Sequence, residues 1–119
     1  MMSEQASTDT LIDILDAAQN ATQFIQGMTF DTFAADEKTV YAVVHALELL
    51  GRTTHDIPQA VQERYFNVPW KTFAELPRTL TANYMRGHLA SIWKLTSEEL
   101  PSLIPIFRLM VEDARVRTP

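Results

Sequence analysis

The stretch from Pro77 to His88 holds the densest set of side chains that could do chemistry. Within these twelve residues are two arginines, an asparagine, a tyrosine and a histidine. Arginine can bind a phosphate through two parallel hydrogen bonds, and tyrosine can stack on a base or offer a hydroxyl for modification. The alternative is structural, with Tyr84 in a core and the arginines in water. The segment from Trp70 to Trp93 is therefore the first candidate for a functional region.

Other chemistries have less support in the sequence. The three glycines are isolated, so there is no glycine-rich phosphate loop, and the lack of cysteine excludes disulfides, thiol nucleophiles and cysteine metal sites. His45 and Glu48 would share a helix face, but such a pair is more often a surface feature than a metal site. Asp13 and Asp16 also share a face, which we interpret as solvated. We expect no metal site and no cofactor.

Charge is distributed unevenly along the chain. The formal net charge is -5, which would disfavour nucleic acid on a uniformly acidic surface. Between residues 64 and 94, however, only Glu75 is acidic, against five basic side chains: Arg64, Lys71, Arg78, Arg86 and Lys94. This stretch is either an ordinary solvated helix surface or a local anion-binding face on an acidic body.

Targeting signals are lacking in the sequence. The first residues, MMSEQASTDT, have no basic and apolar blocks of a signal peptide, and no apolar run approaches the roughly 18 residues of a membrane span. Together with the lack of cysteine, this favours a cytoplasmic protein with no membrane partner. The length of 119 residues fits one domain. We expect a flexible tail over 1–7, a helical domain over 8–114 and a second tail over 115–119.

Apolar residues recur with helical periodicity. They fall at three- and four-residue steps from Leu11 to Ile25 and again from Val40 to Leu50. No segment alternates with the period of two that a half-buried strand requires. The expected fold is all-α, an antiparallel up-and-down bundle of four to six helices.

Local signals predict where the first helices begin and end. Thr8 or Asp9 is expected to cap the first helix, and Gly27 is a natural stop. Asp36 places negative charge at the start of the next long helix, where the helix dipole favours it. Gly51 is expected to weaken the far end of that helix.

The last helix carries the spacing of a capping box. Thr96 and Glu99 are three residues apart, and Pro101 would lie just inside the helix start. The sequence therefore predicts a new helix that begins at Thr96. Pro105 is expected to kink it.

Four stretches match a known family in order and spacing. They are LIDILDAAQNATQFIQGMTFDTF, DEKTVYAVVHALELLG, VPWKTFAELPRTLTANYM and IWKLTSEELPSL. On these, the chain from about Leu11 to Glu112 resembles a HepT-like protein of the HEPN superfamily. The resemblance implies a helical bundle that forms a homodimer, with a key helix of each protomer facing the dimer cleft. It also implies metal-independent RNA cleavage and a toxin–antitoxin pair, in which a minimal nucleotidyltransferase (MNT) partner modifies a tyrosine with AMP.

The family's RNA-cleaving motif is degraded in this sequence. The motif is an arginine, usually followed by asparagine, then a histidine after four to six residues, and a tyrosine two positions beyond. The arginine would hold the scissile phosphate, and the histidine would transfer a proton. Here the arginine position is Pro77 and the histidine position is Ala82. The asparagine position is Arg78, and only Tyr84 remains in register.

Two displaced residues could replace the missing ones. His88 follows Tyr84 by one helical turn, and Arg78 is one position late, roughly 100° around a helix. Elsewhere the family commonly has arginine where His45 stands and glutamate where Arg52 stands, so the departures cluster at the expected cleft.

The sequence therefore predicts a HepT-like toxin-family protein whose ribonuclease activity is weakened or lost. Any remaining catalysis is assigned to Arg78 and His88, AMP modification to Tyr84, and RNA contacts to Lys71, Arg78 and Arg86. The alternative is a non-catalytic dimeric helical module that binds an MNT partner or RNA. An orphan helical adaptor outside the family is the third possibility.

Overall fold

Helices make up the structure, a computed structural model that describes residues 6–83 and 88–117, with side chains for 6–80 and 88–117. Seven α-helices and one π-helical turn fall within these ranges, and no strand does. They are α1 (Thr8–Phe24), α2 (Phe30–Ala35), α3 (Glu37–Thr54), α4 (Gln59–Arg64), α5 (Trp70–Asn83), α6 (Leu89–Lys94), the π turn (Leu95–Glu99) and α7 (Leu100–Arg117). The predicted all-α class is confirmed. None of the described helices combines the length and apolarity that crossing a membrane requires.

Short polar side chains begin the first helices. Ser7 is extended and its Oγ accepts from the Thr10 amide at 3.1 Å, so Ser7 caps α1. The prediction of Thr8 or Asp9 as the cap is wrong, because both already have helical positions. Gly27 lies in the turn after α1 with a φ of 80°, a conformation that glycine adopts without strain, and its role as a stop is confirmed.

Asp36 lies at the start of α3, as predicted, and its side chain also caps the helix. Its carboxylate accepts from the Thr39 amide at 3.2 Å and from the Thr39 hydroxyl at 2.8 Å. These two hydrogen bonds, the hydroxyl's first, lower the pKa of the Asp36 carboxyl. The charged carboxylate also lies at the positive end of the α3 dipole.

The core is built around α3. This helix packs against both α1 and α5, and α1 also packs against α7. Phe33, Phe73 and Phe107 are fully buried, and the ring centroids of Phe73 and Phe107 lie 6.4 Å apart. Each such side chain contributes about 1.5–3 kcal/mol through burial. The same contacts fix α5, which carries the candidate site, onto the rest of the molecule.

A π-helical turn joins α6 to α7, where the sequence predicted a helix start. Thr96 does not cap a helix; it is fully buried, and its hydroxyl donates to the Ile92 carbonyl at 2.8 Å. The capping-box prediction is therefore wrong. The physical reason lies in Pro101, which has no amide hydrogen and whose ring clashes with the preceding turn of a regular α-helix. In the wider π turn the Leu100 amide donates to Leu95, and the helix continues past Pro101.

Candidate functional site

Helix α5 has two faces with different surroundings. Phe73, Leu76 and Leu80 are buried against the core and define its inner face. Lys71 and Arg78 are exposed and seven residues apart, so they project from nearly the same side, which we call the outer face. The helix begins at Trp70, which is buried and whose indole N–H donates to the Tyr65 carbonyl at 3.0 Å.

Pro77 fits against α3 at Gly51. A Cβ atom at Gly51 would lie 2.5 Å from Pro77 Cδ and 2.7 Å from the Phe73 carbonyl oxygen. The two helices therefore touch at this point only because residue 51 has no side chain. α3 continues to Thr54, so Gly51 does not end the helix but allows the close approach. Pro77 is half-buried, and α5 runs through it to Asn83.

A cleft of about 370 Å³ lies between α5 and the stretch formed by α6 and the π turn. Five aliphatic side chains line it: Leu47, Leu76, Leu80, Ile92 and Leu95. Five polar residues complete the lining: Thr72, Thr79, His88, Ser91 and Glu99. An apolar cleft with a few polar groups is the usual form of a small binding site. We refer to it as the α5–α6 cleft.

The two residues predicted to catalyse RNA cleavage lie in different surroundings. His88 is exposed at the N-terminus of α6 and lines the α5–α6 cleft. Arg78 is exposed on the outer face of α5 and is not among the residues that line this cleft. The structure thus places His88, but not Arg78, at the cleft.

The other predicted site residues lie on α5 or outside the described residues. Lys71 is exposed on the outer face of α5. Tyr84 and Arg86, predicted as the AMP acceptor and an RNA contact, lie outside the described residues. Ala82, predicted to stand at the histidine position of the motif, belongs to the last turn of α5, and its side chain is not described.

On α3, His45 and Arg52 are exposed and seven residues apart, so they share one face of the helix. Glu48 is half-buried. Over the described residues, no group of three or more His, Cys, Asp or Glu side chains is placed to hold a metal ion.

His55 forms a contact that sequence reasoning missed. Its imidazole Nε2 is 3.0 Å from the Ala74 carbonyl oxygen, so the C-terminus of α3 is hydrogen-bonded to the middle of α5. No local sequence pattern predicts a contact between residues 19 positions apart. Together with the fit of Pro77 on Gly51, this hydrogen bond attaches the middle of α5 to the C-terminal part of α3.

Tyr65 forms a second unforeseen anchor. Its hydroxyl donates to a carboxylate oxygen of Asp113 on α7. Burial, and then the hydrogen bond and the negative charge of Asp113, raise the pKa of the Tyr65 phenol. The contact fixes the α4–α5 loop to the last helix. Phe66, the next residue, is 85% exposed.

Within the described ranges, four long helices with a cleft along one of them define a small all-helical domain of the bundle class. The chain belongs to the HepT-like ribonuclease family, whose model, described as "Ribonuclease HepT-like", matches residues 14–110. A protein of Thermococcus cleftensis named "Probable ribonuclease HepT" is 30% identical over 100 residues, which cover 84% of this chain and 91% of that protein. A Methanocaldococcus jannaschii protein named "Putative RNase MJ0127" is 32% identical over 103 residues, 87% of this chain and 85% of that protein. No solved structure matches the chain.

Proposed function

We propose that this chain is the HepT-like member of a cytoplasmic toxin–antitoxin pair and that its metal-independent RNA cleavage is weakened or lost. The main support for the proposal is the packing of Pro77 against Gly51. At the position where the family's arginine would hold a phosphate, this chain has a side chain that packs between helices and donates no hydrogen bond. Ala82, at the position of the proton-transferring histidine, cannot bind or release a proton.

Arg78 does not restore the missing arginine in this proposal. It follows Pro77 by one residue, so it leaves the helix about 100° away from the motif position. It lies on the outer face of α5, whereas His88 lines the α5–α6 cleft. We therefore infer that Arg78 and His88 do not act on the same phosphate within one protomer. This separation supports weakened cleavage.

An RNA cleavage assay in the presence of a metal chelator tests the proposal. We expect the unmodified protein to cleave poorly and the double variant Pro77→Arg, Ala82→His to cleave at least about 100-fold faster, because a positioned acid–base group contributes about 10²–10⁴ in rate. The single variant Ala82→His is the matched control, since it restores the proton-transferring group alone. Robust cleavage by the unmodified protein, abolished by Arg78→Ala or His88→Ala, would overturn the proposal.

The regulatory part of the proposal concerns modification of Tyr84. It is the one motif residue in register, and we propose that a cognate MNT enzyme transfers AMP to its hydroxyl. Co-expression with the product of a neighbouring MNT gene, followed by intact-mass measurement, should show one added AMP. Tyr84→Phe should block the addition, and unchanged modification of that variant would remove Tyr84 from the proposal.

A second candidate function is a non-catalytic homodimeric module that binds RNA or the MNT partner. The exposed cations Lys71 and Arg78 on one side of α5 favour it, because phosphate contacts supply most of the affinity for nucleic acid. The fused α6–α7 stretch and the packed α3–α5 contact would serve as a rigid scaffold. Sedimentation of the purified protein distinguishes a dimer from a monomer, and a monomer at micromolar concentration would contradict this module.

A further inference from the structure

The α4–α5 loop displays a large aromatic ring to solvent. Phe66 is 85% exposed, whereas Val68 is 2% exposed and Trp70 is 7% exposed. Phenylalanine favours burial by about 1.5–3 kcal/mol, so a ring held in water needs a structural or functional explanation. The ring lies in the loop that leads directly into α5, the helix of the candidate site.

The loop around Phe66 is tied down by several hydrogen bonds. The Tyr65 carbonyl accepts from the Val68 amide at 3.1 Å and from the Trp70 indole at 3.0 Å. The Tyr65 hydroxyl donates to Asp113 on α7. Because Tyr65 is hydrogen-bonded and Val68 and Trp70 are buried, the loop is attached to the core on either side of the exposed Phe66 and Asn67. The backbone of Phe66 is preorganised with the ring outward.

Exposed basic side chains lie on both sides of Phe66 along the chain. Arg64 precedes it, Lys71 follows on the first turn of α5, and Arg78 lies seven residues further, about 10 Å along the helix. Arg117 of α7 borders the same small concavity as Arg64. Glu63 and Glu75 are the exposed acids in the 63–78 stretch, which therefore carries three cations against two carboxylates, while the whole chain carries -5. Asp113 borders the concavity of Arg64 and Arg117 as well.

We propose that Phe66 is a base-stacking platform for single-stranded RNA, whose phosphates contact Arg64, Lys71 and Arg78. This inference rests on the RNA-binding part of the proposed function and names the residue that binds a base. An aromatic ring accepts any base by stacking, and neighbouring cations neutralise the backbone. The acidic remainder of the chain repels RNA and confines it to this surface.

Fluorescence anisotropy with a labelled single-stranded oligoribonucleotide tests the stacking. We expect Phe66→Ala and Phe66→Leu to weaken binding at least about fivefold and Phe66→Trp to retain it, because leucine is apolar but has no π face. Leu109→Ala is the matched control, since Leu109 is a 50% exposed apolar residue on α7. Its affinity for RNA should not change. A duplex of the same sequence should be insensitive to Phe66, because its bases are already stacked.

The salt dependence of RNA binding distinguishes the contribution of the Phe66 ring from that of the basic side chains. Lys71→Ala and Arg78→Ala should each flatten the dependence of affinity on salt, whereas Phe66→Ala should lower affinity without changing the slope. Unchanged binding by Phe66→Ala, or equal binding by the leucine and tryptophan variants, overturns the stacking role. Failure of the unmodified protein to bind RNA also overturns it, while the cleavage assay of the restored motif decides the proposed loss of activity separately. Loss of self-association in Phe66→Ala, with RNA binding unchanged, assigns the ring to a protein interface instead.

Discussion

The two faces of α5 differ in what they contact. On the inner face, Phe73 is fully buried and Pro77 fits onto a glycine of α3 with no room for a Cβ atom. On the outer face, Lys71 and Arg78 are exposed to water. Pro77, which the sequence predicted to stand at the arginine position of the motif, is thus used in packing, while Lys71 and Arg78 carry their charge on the outer face. This difference separates what stabilises the helix from what could bind a ligand.

Phe73→Ala should have the largest effect of any single change that tests this comparison. Removing a fully buried phenylalanine in contact with Phe107 should lower the free energy of unfolding by about 3–5 kcal/mol, because a cavity remains in the core. Urea denaturation followed by circular dichroism measures the change.

Lys71→Ala is the matched outer-face control for that experiment. Replacing an exposed surface side chain such as Lys71 should change the free energy of unfolding by no more than about 0.5 kcal/mol. Equal losses for the two variants would show that the outer face is also a packing surface, and the separation of the two faces would fail.

Gly51→Ala should have the second largest effect. The added methyl group would lie 2.5 Å from Pro77 Cδ and 2.7 Å from the Phe73 carbonyl oxygen, so α3 and α5 must move apart. Overpacking of this kind costs about 1–3 kcal/mol, even though alanine favours a helix more than glycine does. Thermal denaturation should show a lower Tm than the parent.

The double variant Gly51→Ala, Pro77→Ala sharpens this prediction. Removing the proline ring relieves one of the two clashes, while the backbone oxygen of Phe73 remains, so part of the lost stability should return. If Gly51→Ala were as stable as the parent, the inner face could accommodate added volume. The proline position would then not be fixed by packing.

The inner face could be predicted better than the site. Apolar periodicity was sufficient to predict the all-helical class and the long helices, because each of these helices buries one apolar face in the core. Asp36 and Gly27 follow local rules for caps and turns and were also correct. By contrast, Thr96 has the spacing of a cap but lies inside a π turn. The capping-box rule failed here because it considers only local spacing and not the effect of Pro101 on the preceding helical turn.

Contacts between distant segments could not be predicted from local patterns. Gly51 was interpreted as a weak helix end because its partner, Pro77, is 26 residues away in the chain. The pairs His55 with Ala74 and Tyr65 with Asp113 likewise join different helices. Such contacts depend on how the helices cross, which single-helix periodicity does not encode.

Tyr65→Phe should lower stability less than Phe73→Ala or Gly51→Ala. It tests how the α4–α5 loop, which leads into α5, is held in place. The variant loses the hydrogen bond to Asp113 but keeps the ring, so the free energy of unfolding should fall by about 1 kcal/mol at neutral pH. The measurement is urea denaturation of both proteins at pH 7 and again above pH 10.

The pH dependence tests the cause of that loss. The pKa of Tyr65 is raised in the folded protein, so the contribution of the phenol is fully present below the unfolded pKa of about 10 and is lost as pH rises through the folded pKa. The stability difference between parent and Tyr65→Phe should therefore shrink in alkali. Asp113→Asn keeps an acceptor but removes the charge, and its alkaline loss should be smaller than the parent's. Equal stability of parent and Tyr65→Phe at pH 7 would mean that Tyr65 holds the loop through ring packing alone. The preorganisation of Phe66 would then not depend on the bond to α7.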